Sequence, residues 1–340
     1  MYAPESTWTR AFLAVAVVQA LIASSLEAYV LIAVERCFEP AVVQVPRGHT
    51  VPLFFALFIF GFVYQLILVY DALRSSSMIQ VVGLCVYNLC LLGYALFQPK
   101  DIKDALDSLA GSITADGKPL ITPGTNAWGD CMPALAALAL VVAVATGVFC
   151  FVAWKLRSEF AWVVYKAINA DRAMRKRILI LQSYTAFLKF DLFFLLGFLL
   201  QNMINASADM GRPEFGLSIG AIPLVLLVIW LAVVCAQSEY TVGTLVIILV
   251  QLAAAGFLCY KLTTIDHELY MFRTFAAITL IMTLCAAAMA VLCLVNFGKG
   301  VKNITESQLR QKSTHNLPDT DYASSSYLYG YVPRRSPLDA

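Results

Sequence analysis

Charge is what this chain has least of. Asp, Glu, Lys and Arg make up 14% of its 340 residues, where a soluble domain carries about 25%. A soluble globular protein of ordinary make-up is thereby excluded. The net charge of +2 says nothing about partners, and no nucleic acid is expected among them. Histidine is nearly absent, with His49, His267 and His315 alone. Of the nine cysteines, Cys85, Cys90, Cys150, Cys235, Cys259, Cys285 and Cys293 lie in apolar runs, where cysteine acts as a small hydrophobe. There is no CxxC pair and no His/Cys cluster, so neither a metal site nor any other cofactor is expected. GxGxxG, the P-loop, GxSxG and HExxH are all missing, and the chain is not expected to be an enzyme. No cleavable signal peptide is evident either. The first apolar run, Ala11 to Val34, exceeds the roughly 7–15 residues of a signal core and reads as a retained span.

Long apolar runs are what the chain does have, with 60% hydrophobic residues overall. Eight runs, 11–34, 51–70, 78–98, 133–154, 178–201, 217–236, 241–260 and 273–297, each reach the roughly 17–25 residues that cross a bilayer. Backbone groups in lipid must be satisfied within the segment, so the spans are read as helices. The fold class is an all-α, polytopic transmembrane helix bundle over 1–297. Gln80 and Asn88 interrupt the third run, and seven spans result if one run is re-entrant. Residues 298–340, rich in Ser, Tyr and Pro, read as a disordered cytosolic tail.

The basic residues orient the spans. With the N-terminus in the cytosol, fifteen Lys/Arg fall on that side and eight on the other. Positive charge favours the cytosolic side, so both termini are expected there. Segment 99–132 then faces the lumen or exterior, and Ile102, Ala105, Leu106 and Leu109 predict a short surface helix within it. Cys37 and Cys131 share that side, and there they form a disulfide or remain two free thiols. Asn205-Ala-Ser207 is a glycosylation sequon on the same side, close to a span end.

Between 155 and 177 the chain carries seven Lys/Arg, including Lys166, Arg172, Arg175, Lys176 and Arg177, interleaved with aromatics. That composition suits a helix lying on the anionic cytosolic leaflet, and equally a plain topology signal. The lipid bilayer is the expected partner. Anionic lipid and cytosolic trafficking proteins are candidates at this loop and the tail.

Lys189 and Asp191 interrupt the fifth run about 17 Å and 20 Å past Ile178. Two residues apart on a helix means about 200° of rotation, so the two point to opposite sides. Both avoid lipid only if the fifth helix has protein on two sides. Asn88, Gln251, Thr283 and Glu27 are the polar residues sought at comparable depth, and Glu27 is the expected ion partner of Lys189. Lys189, Asp191, Glu27, Asn88 and Gln251 thus form the candidate intramembrane polar site. Three readings stand side by side: a midplane site for an ion or small solute, charges that fix helix order, and a lysine that snorkels to the interface.

One stretch also carries a family likeness. Tyr165-Lys166, Asn169-Ala170-Asp171 and Arg175–Arg177 precede Leu188-Lys189-Phe190-Asp191-Leu192-Phe193-Phe194, Gly197-Phe198 and Gln201. This resembles the "YK..GAD...RR" and "LLKFDFFFF.GF..Q" patterns of an uncharacterised fungal family of Golgi apparatus membrane proteins. Asn296-Phe297-Gly298-Lys299-Gly300-Val301-Lys302 resembles that family as well. Asn169 stands where glycine is typical, and Leu192 where phenylalanine is. The resemblance implies a multi-pass Golgi or endomembrane protein and no known reaction. Two functions are therefore carried forward: movement of a small solute or ion, or recruitment of cytosolic partners.

Overall fold

The computed structural model describes residues 6–36, 46–110, 127–167, 172–207, 213–264 and 270–298. They form α1 (Thr7–Glu35), α2 (Pro46–Ser75), α3 (Met78–Ala110), α4 (Ala127–Ala167), α5 (Arg172–Ser207), α6 (Pro213–Gln237), α7 (Thr241–Thr264) and α8 (Tyr270–Val295). All eight are long and apolar enough to cross a membrane, and no strand occurs among the described residues. The chain divides into a helical unit, Met1–Phe297, and Gly298–Ala340. The predicted tail, and Cys37 of the predicted disulfide, lie outside the described residues.

Local chemistry sets the helix ends. Ser6 caps α1, its hydroxyl accepting from the Trp8 N–H at 3.2 Å. The same hydroxyl donates to Glu159 Oε1 at 2.8 Å and ties the start of α1 to α4. Proline opens α2 and α6, where its missing N–H leaves no bond unmade. Two hairpins turn on left-handed residues that are not glycine, Ser76 (φ 50°) and Glu239 (φ 54°). Each carries the bond pattern of a left-handed helix cap: Ser77 N–H reaches Ala72 O at 3.2 Å, and Tyr240 N–H reaches Cys235 O at 2.9 Å.

The helices pack as two four-helix rings. In the first, α1 packs on α2 and α4, and α3 packs on α2 and α4. In the second, α5 packs on α6 and α8, and α7 packs on α6 and α8. The rings meet where α5 crosses α2 and α3. Aromatic rings fill that crossing, and bare backbone lets them in. A Cβ on Gly83 would overlap the Phe190 ring, and one on Gly197 would lie 2.6 Å from Phe275 Cε1. α6 is the helix with least of its span buried, and Leu217, Leu224 and Trp230 stand outward where lipid covers them.

Two sequence expectations are corrected. The short surface helix at 102–109 is the far end of α3, which runs unbroken through Pro99 to Ala110. Ile102 and Leu106 extend its buried stripe against Val30, Val34, Cys131 and Leu135. Residues 155–167 are not a separate surface helix. They continue α4, because Leu156 and Phe160 extend the stripe of Phe149 and Val152 into the core of the first ring.

Candidate functional site

The first ring closes on a single polar layer. Gln19 of α1 and Gln65 of α2 donate to Asn88 Oδ1 at 2.7 and 3.1 Å. Asn88 Nδ2 donates to Thr146 Oγ1 of α4 at 2.8 Å. Thr146 passes its own proton to Val142 O at 2.7 Å. Each helix of the ring supplies one side chain, and all four are buried. A second contact in this ring joins α1 to α3, where Gln98 Nε2 donates to Glu27 Oε2 at 3.0 Å.

The second ring holds Asp191 and Gln251. Asp191, 2% exposed, accepts from Thr283 Oγ1 of α8 at 3.0 Å and 3.3 Å through its two oxygens. Gln251 of α7 lies beside the buried Tyr184 of α5. Asn202 Nδ2 donates to Ser218 Oγ at 2.8 Å and joins α5 to α6.

Lys189 belongs to neither interior. Its ammonium forms an ion pair with Asp71 of α2, and Tyr64 donates to its backbone carbonyl at 2.5 Å. The expected pairing with Glu27 is therefore wrong. Glu27 sits on α1 and is engaged by Gln98, whereas Asp71 is on the helix that α5 crosses. Asp71 is four residues from the end of α2, so the pair lies about 6 Å in along that helix. Both partners are partly exposed, at 28% and 40%.

The five candidate residues accordingly form five separate contacts, not one site. Lys189 and Asp191 face opposite neighbours, α2 and α8. Asp71, Gln19, Gln65, Gln98 and Thr146 complete the contacts and escaped the sequence reading. Asp71 fell one residue beyond the second apolar run, and the others read as ordinary polar interruptions. Cys131 is buried between Val34 and Leu135. Asn205 lies in the last turn of α5. Lys166 ends α4, and Arg172, Arg175, Lys176 and Arg177 open α5.

An opening lies at the seam between the rings. It holds about 450 Å³ and is bounded by α2, α3, α5 and α8, with Leu57, Tyr87, Gly93, Tyr94, Phe193 and Phe275 among its walls. This is within the ~300–1,000 Å³ of small-molecule sites. It ends inward on an aromatic plug, in which Tyr87 and Phe193 meet edge to face at 5.2 Å and Phe193 stacks on Tyr64 at 5.7 Å. Beyond the plug, Leu68, Gln80, Leu84, Ala186, Lys189 and Phe190 close on a crevice with no room for water. The seam is thus open toward one face of the molecule and shut by the ion pair at the other.

The chain is 27% identical over 275 residues to a UPF0658 Golgi apparatus membrane protein of Schizosaccharomyces pombe, covering 74% of this chain and 78% of the relative. No family model matches the chain. No solved structure matches it either.

Proposed function

We propose that this homologue of a fungal Golgi apparatus membrane protein itself resides in the Golgi membrane, and that it is a non-enzymatic carrier. Its cargo, a largely apolar molecule, binds at the seam between the two rings. The relative's location supports the first part. One observation carries the second. The cavity stands on one side of the Tyr87–Phe193 plug and the Lys189–Asp71 pair on the other, both at the same ring-to-ring contact. A rocking of one ring against the other would exchange the open end for the closed one, as carriers built from two helical bodies do. The distribution of Lys and Arg supports both termini in the cytosol. The cavity would then open toward the lumen and the ion pair would close the cytosolic side. The paired polar groups of the first ring are better suited to holding that body rigid than to passing an ion.

Spin-label distances test the motion. One pair of exposed sites, Leu96→Cys and Ile281→Cys, spans the seam on the cavity side; another, Ile67→Cys and Leu179→Cys, spans it near the ion pair. In the full-length protein, Asp71→Asn is expected to lengthen the second distance and shorten the first. Two unchanged distributions in a protein of normal size and helicity would mean that the rings form one rigid scaffold.

A further inference from the structure

The seam cavity has a charged mouth that the aromatic walls do not explain. Lys100 and Asp104 line it, one turn apart on α3, and both are exposed. Neither is engaged in an ion pair or hydrogen bond among the described residues. Residues at this spacing lie on one helix face, about 6 Å apart along the axis. Their order matters. Along α3 the groove runs from Tyr87 through Gly93 and Phe97 to Lys100 and then Asp104. A molecule seated there meets, in sequence, apolar walls, a cation and an anion.

We propose that this groove binds a glycerophospholipid with a zwitterionic, amine-bearing head group, which rests on the carrier reading above and names its cargo. An acyl chain lies along Leu57, Leu91, Tyr94 and Phe275. The phosphate, nearest the glycerol, meets the Lys100 ammonium. The terminal amine, farthest from the chain, meets the Asp104 carboxylate. An anionic lipid without an amine would match Lys100 but be repelled by Asp104, and a neutral diacylglycerol would use neither. The fit extends to the floor, where a side chain built on Gly93 meets no atom within 4 Å. That gap is space for the ligand, in contrast to Gly83, where Phe190 fills the room.

The full-length protein, reconstituted in nanodiscs of equal phosphatidylethanolamine and phosphatidylglycerol, is released and its retained lipid read by native mass spectrometry. One phosphatidylethanolamine per chain is expected, in excess over phosphatidylglycerol. Asp104→Asn is expected to reduce that preference about fivefold, the worth of one solvent-exposed charge contact. Gly93→Phe enters the groove from a position where an added Cβ meets no atom within 4 Å, so it should remove the lipid while thermal unfolding stays unchanged. Equal retention of the two lipids by the unaltered protein, or undiminished retention by Gly93→Phe, would overturn the proposal. The spin-label experiment reports on motion alone. Rings that move in a protein showing no lipid preference would sink the cargo and leave the carrier, whereas static rings that hold the lipid would sink the carrier and leave a fixed lipid site.

Discussion

Replacing Asn88 with alanine removes the one residue that all three other helices of the first ring reach. Asn88 is fully buried, and its amide makes three bonds: two accepted from Gln19 and Gln65, and one given to Thr146. Side-chain hydrogen bonds between membrane helices average about 0.6 kcal/mol and reach about 1.7. Three of them give roughly 2 kcal/mol. The two glutamine amides then face each other without an acceptor, which adds about 1 kcal/mol or more. Asn88→Ala is therefore expected to destabilise the protein by about 2–4 kcal/mol. Equilibrium unfolding in mixed micelles with increasing SDS, followed by far-UV circular dichroism, measures it. Asn296→Ala is the control, since that side-chain amide, just past the end of α8, makes a solvent-exposed bond to Leu292 O one turn back. It should shift stability by less than about 0.5 kcal/mol. A double-mutant cycle with Thr146→Val isolates the α3–α4 bond, and a coupling of about 0.6–1.7 kcal/mol is expected. A loss below about 0.5 kcal/mol for Asn88→Ala, or a coupling near zero, would refute a polar layer that holds the ring.

Two further outcomes follow from backbone and packing. Ser76→Gly and Glu239→Gly each relieve a left-handed conformation at a hairpin and should stabilise by about 1 kcal/mol, seen as a raised thermal midpoint. Leu106→Ala should cost about 2–3 kcal/mol in the same micelle assay, because the far end of α3 is core; a surface helix would lose almost nothing.

Most of the fold could be read from hydrophobic length alone. Every apolar run of about 20 residues is a helix, because in lipid the backbone has nowhere else to place its hydrogen bonds. The helices run past those boundaries where water-facing turns keep an apolar stripe, as Ile102 and Leu106 do, and a hydropathy window does not register a stripe. Partners were legible in part. Thr283 opposite Asp191 lies at the depth that counting from the span end predicts, since α5 and α8 run side by side. Asp71 was hidden because the second run was ended at Tyr70, and because depth counted along one helix does not transfer to a helix that crosses it. The division into two rings left no trace in the sequence, since it depends on which helices touch and not on what each one is made of.

α5 is where those two facts meet. An ammonium and a carboxyl two residues apart cannot both be sheltered by one neighbour, since their directions differ by about 200°. The helix therefore needs a polar partner on each side, and the partners come from different rings: Asp71 of α2 and Thr283 of α8. The two attachments differ in kind. Thr283 and Asp191 are buried, on the side where α5 packs most extensively, against α6 and α8. Lys189 and Asp71 are partly exposed, at the narrower contact with α2 and α3. A charge pair that stays partly hydrated adds little stability, about 0–1 kcal/mol, and can open without stranding a bare charge. In one short stretch of sequence the chain thus encodes a buried polar joint to its own ring and a partly exposed one to the other.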